Sequence, residues 1–167
     1  MLGSGFQQTT APHPPGAIPF EGSYYTFAGT WKGWNQAKAD CEALGGHMAA
    51  VSSLAEDELV WARGGRFNSW LGYTDQAQQQ NWRWANDEPT TYTHWAAGEP
   101  NNWQGQAEDY AAYWWRFIWN DVTDANRPFV CEFDQRAIPA FKLVRAGEPD
   151  RVATHVRMAS SGQLTFD

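Results

Sequence analysis

A stripe of apolar side chains predicts the first helix. Trp34, Ala37, Cys41 and Leu44 recur at intervals of three and four residues, as they would on one face of an α-helix. The pair Gly45-Gly46 follows at once, and glycine commonly ends a helix. We therefore expect an amphipathic helix that begins near Trp34 and ends before the glycine pair.

A second helix is predicted from its N-terminal cap. Ser53 stands before the segment and Glu56 three residues after it, which is the spacing of a capping box. This helix should run to about Ala62. Strands are expected where β-type composition or alternation occurs, at 23–27, 69–73, 82–84, about 109–115, 117–119 and 129–133.

Between residues 90 and 105 the chain has little periodicity but much Pro, Asn, Gly and Trp, and such long irregular stretches are usually functional. Oxygen-bearing side chains concentrate there and just beyond: Glu99, Asn101, Asn102, Glu108, Asp109, Asn120 and Asp121. Calcium takes carboxylate and amide oxygens, whereas zinc favours His or Cys. A cis bond at Pro100 would turn the side-chain oxygens on either side of it in one direction. The pattern predicts a calcium site.

Composition excludes several classes of protein. Of the 167 residues, 43% are hydrophobic, which is enough for a core. The sequence contains no run of about 18 apolar residues, so no membrane-spanning helix is predicted. The net charge of −7 and the pI near 5.0 argue against nucleic-acid binding. No HExxH or GxSxG motif is present, and Glu108 and Asp109, if on one strand, would face opposite ways. An enzyme is therefore disfavoured, and His47 is interpreted as structural.

Charge and composition divide the chain into three parts. Residues 1–21 are a Gly-, Pro- and Thr-rich lead-in without the features of a signal peptide, so an exported protein would have lost its leader. Residues 22–135 form the expected domain. The net charge is −9 over residues 1–135 and +2 over residues 136–167, and we expect the latter to be a β-hairpin or part of a neighbouring module.

The two cysteines, Cys41 and Cys131, belong to no CxxC pair. A disulfide between them would close a loop of 90 residues and imply an oxidising compartment. Two reduced, buried thiols are the alternative, and a catalytic Cys–His pair has no local signature.

A series of motifs in order resembles the C-type lectin domain over about residues 22–134. The motifs are Trp34-x-x-Ala37-x-x-x-Cys41, Gly45 to Ser53, Trp70-Leu71-Gly72, Trp82-x-Trp84, Glu99-Pro100-Asn101, Trp119-Asn120-Asp121 and Phe129-Val130-Cys131-Glu132. The resemblance implies an α+β C-type lectin-like fold, with two helices flanking small antiparallel sheets and a long calcium-binding loop region.

The resemblance also implies a binding site. In this family a Glu-Pro-Asn triplet, a following Glu and an Asn-Asp pair hold one calcium ion, here Glu99, Asn101, Glu108, Asn120 and Asp121, with Pro100 cis. Two neighbouring sugar hydroxyls complete the coordination of the ion, and the same side chains hydrogen-bond to them. The Glu-Pro-Asn order implies ligands with equatorial 3- and 4-hydroxyls, such as mannose, fucose or GlcNAc, whereas Gln-Pro-Asp marks galactose.

Some positions depart from the family pattern. Tyr110 stands where, in the family, a cysteine of a second disulfide commonly follows Glu-Asp. In lacking that disulfide, the sequence resembles single-disulfide bacterial members. The spacing from Glu99 to Glu108 is one residue longer than expected, so Asp109 could replace Glu108. A second calcium site would map to Asp75, Gln79, Asn102, Glu108 and Asp109, and its two amides in place of carboxylates should weaken it.

Eleven tryptophans make up much of the aromatic content. Trp103 is expected either to pack against a sugar ring or to brace the loop. Trp114 and Trp115 are predicted on a strand with one side chain in the core and the other outside, and Trp70, Trp82 and Trp84 in the core.

The function predicted from the sequence is that of a calcium-dependent lectin domain, secreted or on a cell surface. It would bind glycans with terminal mannose, fucose or GlcNAc, without nucleic acid or membrane insertion. Because one shallow site binds weakly, several copies or a larger parent chain are expected to supply avidity. The alternative is a calcium-stabilised module of the same fold that binds a protein or another non-sugar ligand.

Overall fold

The computed structural model describes residues 13–64 and 68–134, together with the backbone of four short strands between residues 142 and 166. The described helices and strands of the first part follow in chain order: β1 (Ile18–Phe20), β2 (Ser23–Lys32), α1 (Trp34–Ala43), β3 (His47–Met48), α2 (Leu54–Arg63), β4 (Trp70–Thr74), β5 (Arg83–Trp84), a 3₁₀ turn (Trp103–Gly105), β6 (Tyr110–Tyr113), β7 (Trp119–Val122) and β8 (Arg127–Asp134).

These eight strands form one sheet in the order β1-β2-β8-β4-β6-β7, with β3 paired to β8 and β5 to β4. All the pairings are antiparallel except that of β4 with β8, which is parallel. With the two helices, this mainly antiparallel sheet confirms the α+β class. Residues 18–20, in the predicted lead-in, pair with β2 as a short strand, so the strand predicted at 23–27 is the second one.

Both helices begin and end where their local sequence signals lie. Helix α1 buries Trp34, Ala37 and Cys41, and Gly45 follows it with a φ of 85°, a left-handed conformation that favours glycine. Helix α2 is capped by Ser53, whose hydroxyl accepts the backbone N–H of Glu56 at 3.2 Å. The Glu56 carboxylate returns to the backbone N–H of Ser52 at 2.7 Å rather than to that of Ser53, one residue from the predicted position.

Two clusters of buried side chains form the core, and the cysteines lie in one of them. Cys41 and Cys131 are joined by a disulfide that ties α1 to β8 across 90 residues, which confirms the disulfide and excludes reduced thiols. Trp70 and Trp84 are buried as predicted, and Trp82 packs half-buried against the core.

The hairpin between β6 and β7 corrects two predictions. The strand expected at 117–119 begins only at Trp119, and Trp114 and Trp115 are not on a strand. They lie in the connecting turn, where Arg116 has a φ of 57° and the N–H of Trp114 bonds to the carbonyl of Ile118 at 2.9 Å. Both indoles are exposed, because a turn does not impose the alternation of a strand.

The chain divides into two compact units, residues 1–135 and 136–167. In the second unit β9 (Lys142–Leu143) pairs with β10 (Arg151–Val152), and β11 (Val156–Met158) pairs with β12 (Leu164–Phe166), both antiparallel. The role predicted for this extension stays a prediction, and residues 1–12 of the predicted lead-in lie outside the described residues.

Candidate functional site

Backbone hydrogen bonds hold the start of the long loop against β7. The N–H of Trp119 donates to the carbonyl of His94 at 2.9 Å, and the N–H of Ala96 donates to the carbonyl of Trp119 at 2.8 Å. The N–H of Glu99 then bonds to the carbonyl of Ala96 at 3.0 Å. This brings the loop that contains Glu99 alongside the strand that contains Asn120 and Asp121.

Beneath this junction lies a polar network centred on one fully buried carboxylate, that of Asp57 on α2. It accepts hydrogen bonds from the hydroxyls of Tyr113 at 2.6 Å and Tyr92 at 3.0 Å, from the indole of Trp119 at 3.0 Å, and it pairs with His94 at 2.9 Å. The network links α2 to the loop and to both strands of the hairpin. Sequence reasoning missed Asp57, since a single acid within a helix is usually exposed.

The loop is fastened directly to the predicted ligand strand by Asp121. One carboxylate oxygen of this fully buried residue accepts the backbone N–H groups of Asn101 and Asn102, at 2.9 and 2.8 Å. The peptide bond between Glu99 and Pro100 is cis. Across the site exposure rises from buried Asp121 through half-buried Glu99 and Asn120 to exposed Asn101. A ligand therefore has access from the side of Asn101.

Three buried oxygens of the predicted set have no hydrogen-bond donor among the described residues: Glu99 Oε2, Asn120 Oδ1 and Asp121 Oδ1. Buried polar atoms are nearly always satisfied, and leaving one unsatisfied costs about 1–3 kcal/mol. All three are acceptors of the kind that hard cations bind. The donor set thus fits a calcium ion.

Electrostatics at Glu99 support the same interpretation. Burial raises the pKa of Glu99 to about 7, together with the neighbouring Asp121 carboxyl and the negative charge of Glu108. The raised pKa means that two acids in close approach resist being charged together. A divalent cation supplies the positive charge that would allow both to ionise.

Glu108 lies at the edge of this arrangement. One of its oxygens accepts the backbone N–H of Trp103 at 2.6 Å, and its charge still reaches Glu99. The carboxylate oxygens of Glu99, Glu108 and Asp121 do not all lie within 4.8 Å of one another. A calcium ion at this site would therefore also need the amide oxygens of Asn101 and Asn120 as ligands.

The residues predicted for a second calcium site also lie together, and hydrogen bonds between them use three of their side-chain oxygens. The Gln79 amide donates to Asp109 Oδ1 at 2.5 Å and accepts from the Asn102 amide at 3.2 Å. The side-chain oxygen of Asn102 accepts the N–H of Glu108 at 2.9 Å. Of the second set, only Asp75 has a buried oxygen, Oδ1, without a donor among the described residues.

Glu108 and Asp109 do not lie on a strand as predicted, because β6 begins at Tyr110. Asp109 is fixed instead through its carbonyl, which accepts the hydroxyl of Thr74 at 2.7 Å and the N–H of Asp75 at 3.1 Å. The backbone of this segment is thereby anchored to the end of β4.

Trp103 follows the Glu99–Asn102 run in the 3₁₀ turn, and its side chain is 63% exposed. Its backbone N–H is engaged by Glu108. The indole ring is exposed next to the predicted ligand residues in the chain, and its role, in contact with a sugar or in bracing the loop, stays a prediction.

Comparison with known proteins identifies the family. The family model for the lectin C-type domain matches residues 30–133, and the chain belongs to that family. The hepatic lectin of Gallus gallus is 38% identical over 105 residues, which cover 62% of this chain and 50% of that protein. The chain spans half or less of the length of the curated relatives it matches most strongly.

Solved structures agree with the sequence match. The carbohydrate-recognition domain of the mouse scavenger receptor C-type lectin is 30% identical, with a TM-score of 0.67, and covers 74% of this chain and 98% of that one. The cow CD23 domain, in the presence of a GlcNAc2Man3 oligosaccharide, is 28% identical, with a TM-score of 0.67 and 74% and 97% coverage. The C-type lectin-like fold is thereby confirmed.

Membership of this family bears on two broader predictions. C-type lectin domains are binding proteins rather than enzymes, which confirms the prediction that the domain is not an enzyme. They generally bind calcium. Within the described parts of the chain, neither helix has the length and apolar character needed to cross a bilayer.

Proposed function

We propose that this chain is a calcium-dependent carbohydrate-binding domain. The observation that supports this most strongly is that three buried oxygens, from Glu99, Asn120 and Asp121, have no hydrogen-bond donor among the described residues. Sequence order, burial and charge all favour a cation at this point. The family match supports a binding role for the domain as a whole.

In this proposal the ion is held by Glu99, Asn101, Glu108, Asn120 and Asp121. Asp121 both fixes the loop through two backbone N–H groups and keeps one oxygen free for the ion. Bound calcium would supply two open coordination positions for a pair of neighbouring sugar hydroxyls. The carboxylates accept hydrogen bonds from those hydroxyls, and the amide NH₂ groups of Asn101 and Asn120 donate to them.

We infer the sugar class from the order Glu99-Pro100-Asn101. The acidic acceptor on one side and the amide donor on the other suit equatorial vicinal hydroxyls, as in mannose and GlcNAc, or their counterparts in fucose. The mannose-containing oligosaccharide present with the similar cow CD23 domain supports this class. The exposed indole of Trp103 would pack on the apolar face of the sugar or of the next residue in a glycan.

One ion is the central proposal, and a second ion is the weaker one. Asn102 and Asp109 would have to give up their hydrogen bonds with Gln79 and Glu108 or extend them around a cation, whereas Asp75 keeps one oxygen without a donor among the described residues. The two amides also reduce the negative charge of the set, and calcium affinity depends on that charge. We therefore propose that any second ion binds less tightly than the first.

The disulfide and the proposed ligand support an oxidising compartment as the location of the domain, secreted or at a cell surface. The proposed partners are glycans with terminal mannose, fucose or GlcNAc. A single shallow site binds a monosaccharide weakly, so several copies or a larger parent chain would supply the avidity.

Affinity chromatography on immobilised mannose tests the proposal. The chain should be retained in calcium, eluted by EDTA and eluted by free mannose, but not by free galactose. Retention that EDTA does not reverse would contradict calcium dependence. A chain that binds calcium but no sugar column would instead be a calcium-stabilised module for a non-sugar ligand.

A further inference from the structure

Three side chains outside the proposed sugar site are brought to one point by the register of the sheet. His47 on β3 is the direct cross-strand partner of Glu132 on β8. Asp134 stands two residues after Glu132, and alternate residues of a strand share a face. One ligand atom from each of the three lies within 4.8 Å of the other two, and no other such trio of His, Cys and acidic residues occurs among the described residues.

The histidine has the tautomer that a metal ligand needs. Nδ1 of His47 lies 2.9 Å from the carbonyl of Met48, so this nitrogen is the one that donates a proton. Nε2 then carries the lone pair, and the side-chain nitrogen of Asn86 lies 3.4 Å from it. A backbone carbonyl that fixes the other nitrogen is the usual second contact of a metal-bound histidine.

The spacing between His47 Nε2 and one oxygen of Asp134 fits a small ion. His47 Nε2 lies 3.4 Å from Asp134 Oδ1, which is long for a strong hydrogen bond. Two ligands about 2.0–2.1 Å from a tetrahedral zinc ion are separated by roughly 3.3–3.5 Å. Asp134 is largely exposed, so its side chain can adjust to an ion without disturbing the core.

Glu132 contributes a buried negative charge that faces an acidic cavity. It is 5% exposed, and one of its oxygens accepts the Ala50 N–H at 3.0 Å. The other lies 3.0 Å from the Tyr25 hydroxyl, which makes a shorter hydrogen bond, of 2.5 Å, to Glu56. A carboxylate has further lone pairs for a metal. The adjoining cavity of about 160 Å³ is also lined by Glu21, Glu56 and Glu88, and its lining, drawn from the described residues, includes no Lys or Arg.

We propose that His47, Glu132 and Asp134 form a binding site for a divalent transition metal, with Zn²⁺ as the expected ion. An imidazole nitrogen with two carboxylates selects zinc over calcium, because calcium takes oxygen ligands almost alone. The site lies on β3 and β8, whereas the proposed sugar site lies on the long loop and β7. A bound ion would link the last residues of β8 to β3. The proposed metal site does not depend on the proposed sugar binding.

Calorimetric titration of the whole chain with zinc chloride, in saturating calcium, tests this proposal. One zinc ion should bind per chain, and His47→Gln and Asp134→Asn should each weaken it by about tenfold or more. Glu88→Gln is the matched control, since Glu88 lines the same cavity outside the trio, and it should change the affinity little. Cobalt in place of zinc should give a visible absorption band that His47→Gln alters.

Three results would overturn the proposal. These are no zinc binding, equal zinc affinity in the wild type and in Asp134→Asn, or loss of the zinc in Asn101→Ala, which would place the ion at the loop. Asp134→Asn is decisive if His47→Gln fails to fold, because Asp134 is exposed. Sugar retention by His47→Gln, measured in parallel, shows whether the proposed function holds independently.

Discussion

One carboxylate oxygen of Asp121 accepts the backbone N–H of Asn101 at 2.9 Å, while the other oxygen of the same group is buried without a donor among the described residues. The contact fixes the loop on the strand and leaves the other oxygen free for the proposed ion. The side chain of Asn101 is thereby held at the exposed edge of that site, where a ligand would meet it.

Asn101→Ala should abolish calcium-dependent sugar binding and leave the fold intact. The substitution removes an amide that would both ligate the ion and donate to a hydroxyl, whereas the backbone N–H that Asp121 accepts remains. Retention on a mannose column and the far-UV circular dichroism spectrum measure the two effects. Asn81→Ala, which removes an exposed amide bonded to Gln78, is the matched control. Normal retention of Asn101→Ala would refute the proposed site.

The double substitution Glu99→Gln, Asn101→Asp should shift the sugar preference towards galactose. It exchanges the amide donor and the carboxylate acceptor on the two sides of Pro100 while keeping the number of charges. Competition by mannose and by galactose for a common immobilised glycan measures the preference. An unchanged ranking of the two sugars would show that these side chains do not select the hydroxyls.

Asp57→Ala should destabilise the domain by about 3 to 5 kcal/mol. It would leave the buried groups of Tyr113 and Trp119 without their acceptor and release Tyr92 and His94 of the loop. Urea unfolding followed by tryptophan fluorescence measures the loss. Asp40→Ala serves as control, because Asp40 is a partly exposed acid paired with Lys32 at 3.7 Å and should change the stability by less than about 1 kcal/mol. Equal stability of the two variants would contradict the network.

Alkaline pH should unfold the domain through its tyrosines. Burial raises the pKa of Tyr25, Tyr73, Tyr92, Tyr110 and Tyr113 above the ordinary value of about 10. The unfolded chain would lose these protons near pH 10 while the folded chain keeps them. The stabilisation is therefore complete below about pH 10 and is lost as the pH rises towards the folded values, by about 1.4 kcal/mol per pH unit for each tyrosine.

Tyr73→Phe isolates one of these groups, since burial alone raises the pKa of Tyr73. The free energy of unfolding, measured by urea in calcium-free buffer from neutral to strongly alkaline pH, should fall less steeply in this variant by the contribution of one proton. Identical slopes for the variant and the wild type would show that Tyr73 ionises alike in both states.

Local signals in the sequence are enough to predict the helices and the loop. The stripe of Trp34, Ala37 and Cys41 and the cap at Ser53 act within one or two turns, and the helices begin where they indicate. The Glu-Pro-Asn and Trp-Asn-Asp motifs likewise mark residues that the fold brings together, since Asp121 accepts the backbone N–H groups of Asn101 and Asn102. Such features depend on neighbours in the sequence.

The rest depends on contacts between distant residues. The start of β7 is set by pairing of Tyr113 with Trp119 across a turn, so it falls two residues later than its composition indicates. The partners of Asp57 lie 35 to 62 residues away, and no local pattern marks them. The hydrogen bonds of Gln79 with Asp109 and Asn102 could not be predicted either, because they need the folded loop.

A calorimetric titration of calcium, repeated with methyl mannoside, fucose or galactose present, tests the central claim most directly. If Glu99, Asn120 and Asp121 hold an ion that sugar hydroxyls then complete, calcium should bind, and mannoside and fucose should tighten it while galactose does not. Calcium binding that no sugar changes would contradict the shared site, and no calcium binding at millimolar concentration would contradict the calcium site itself.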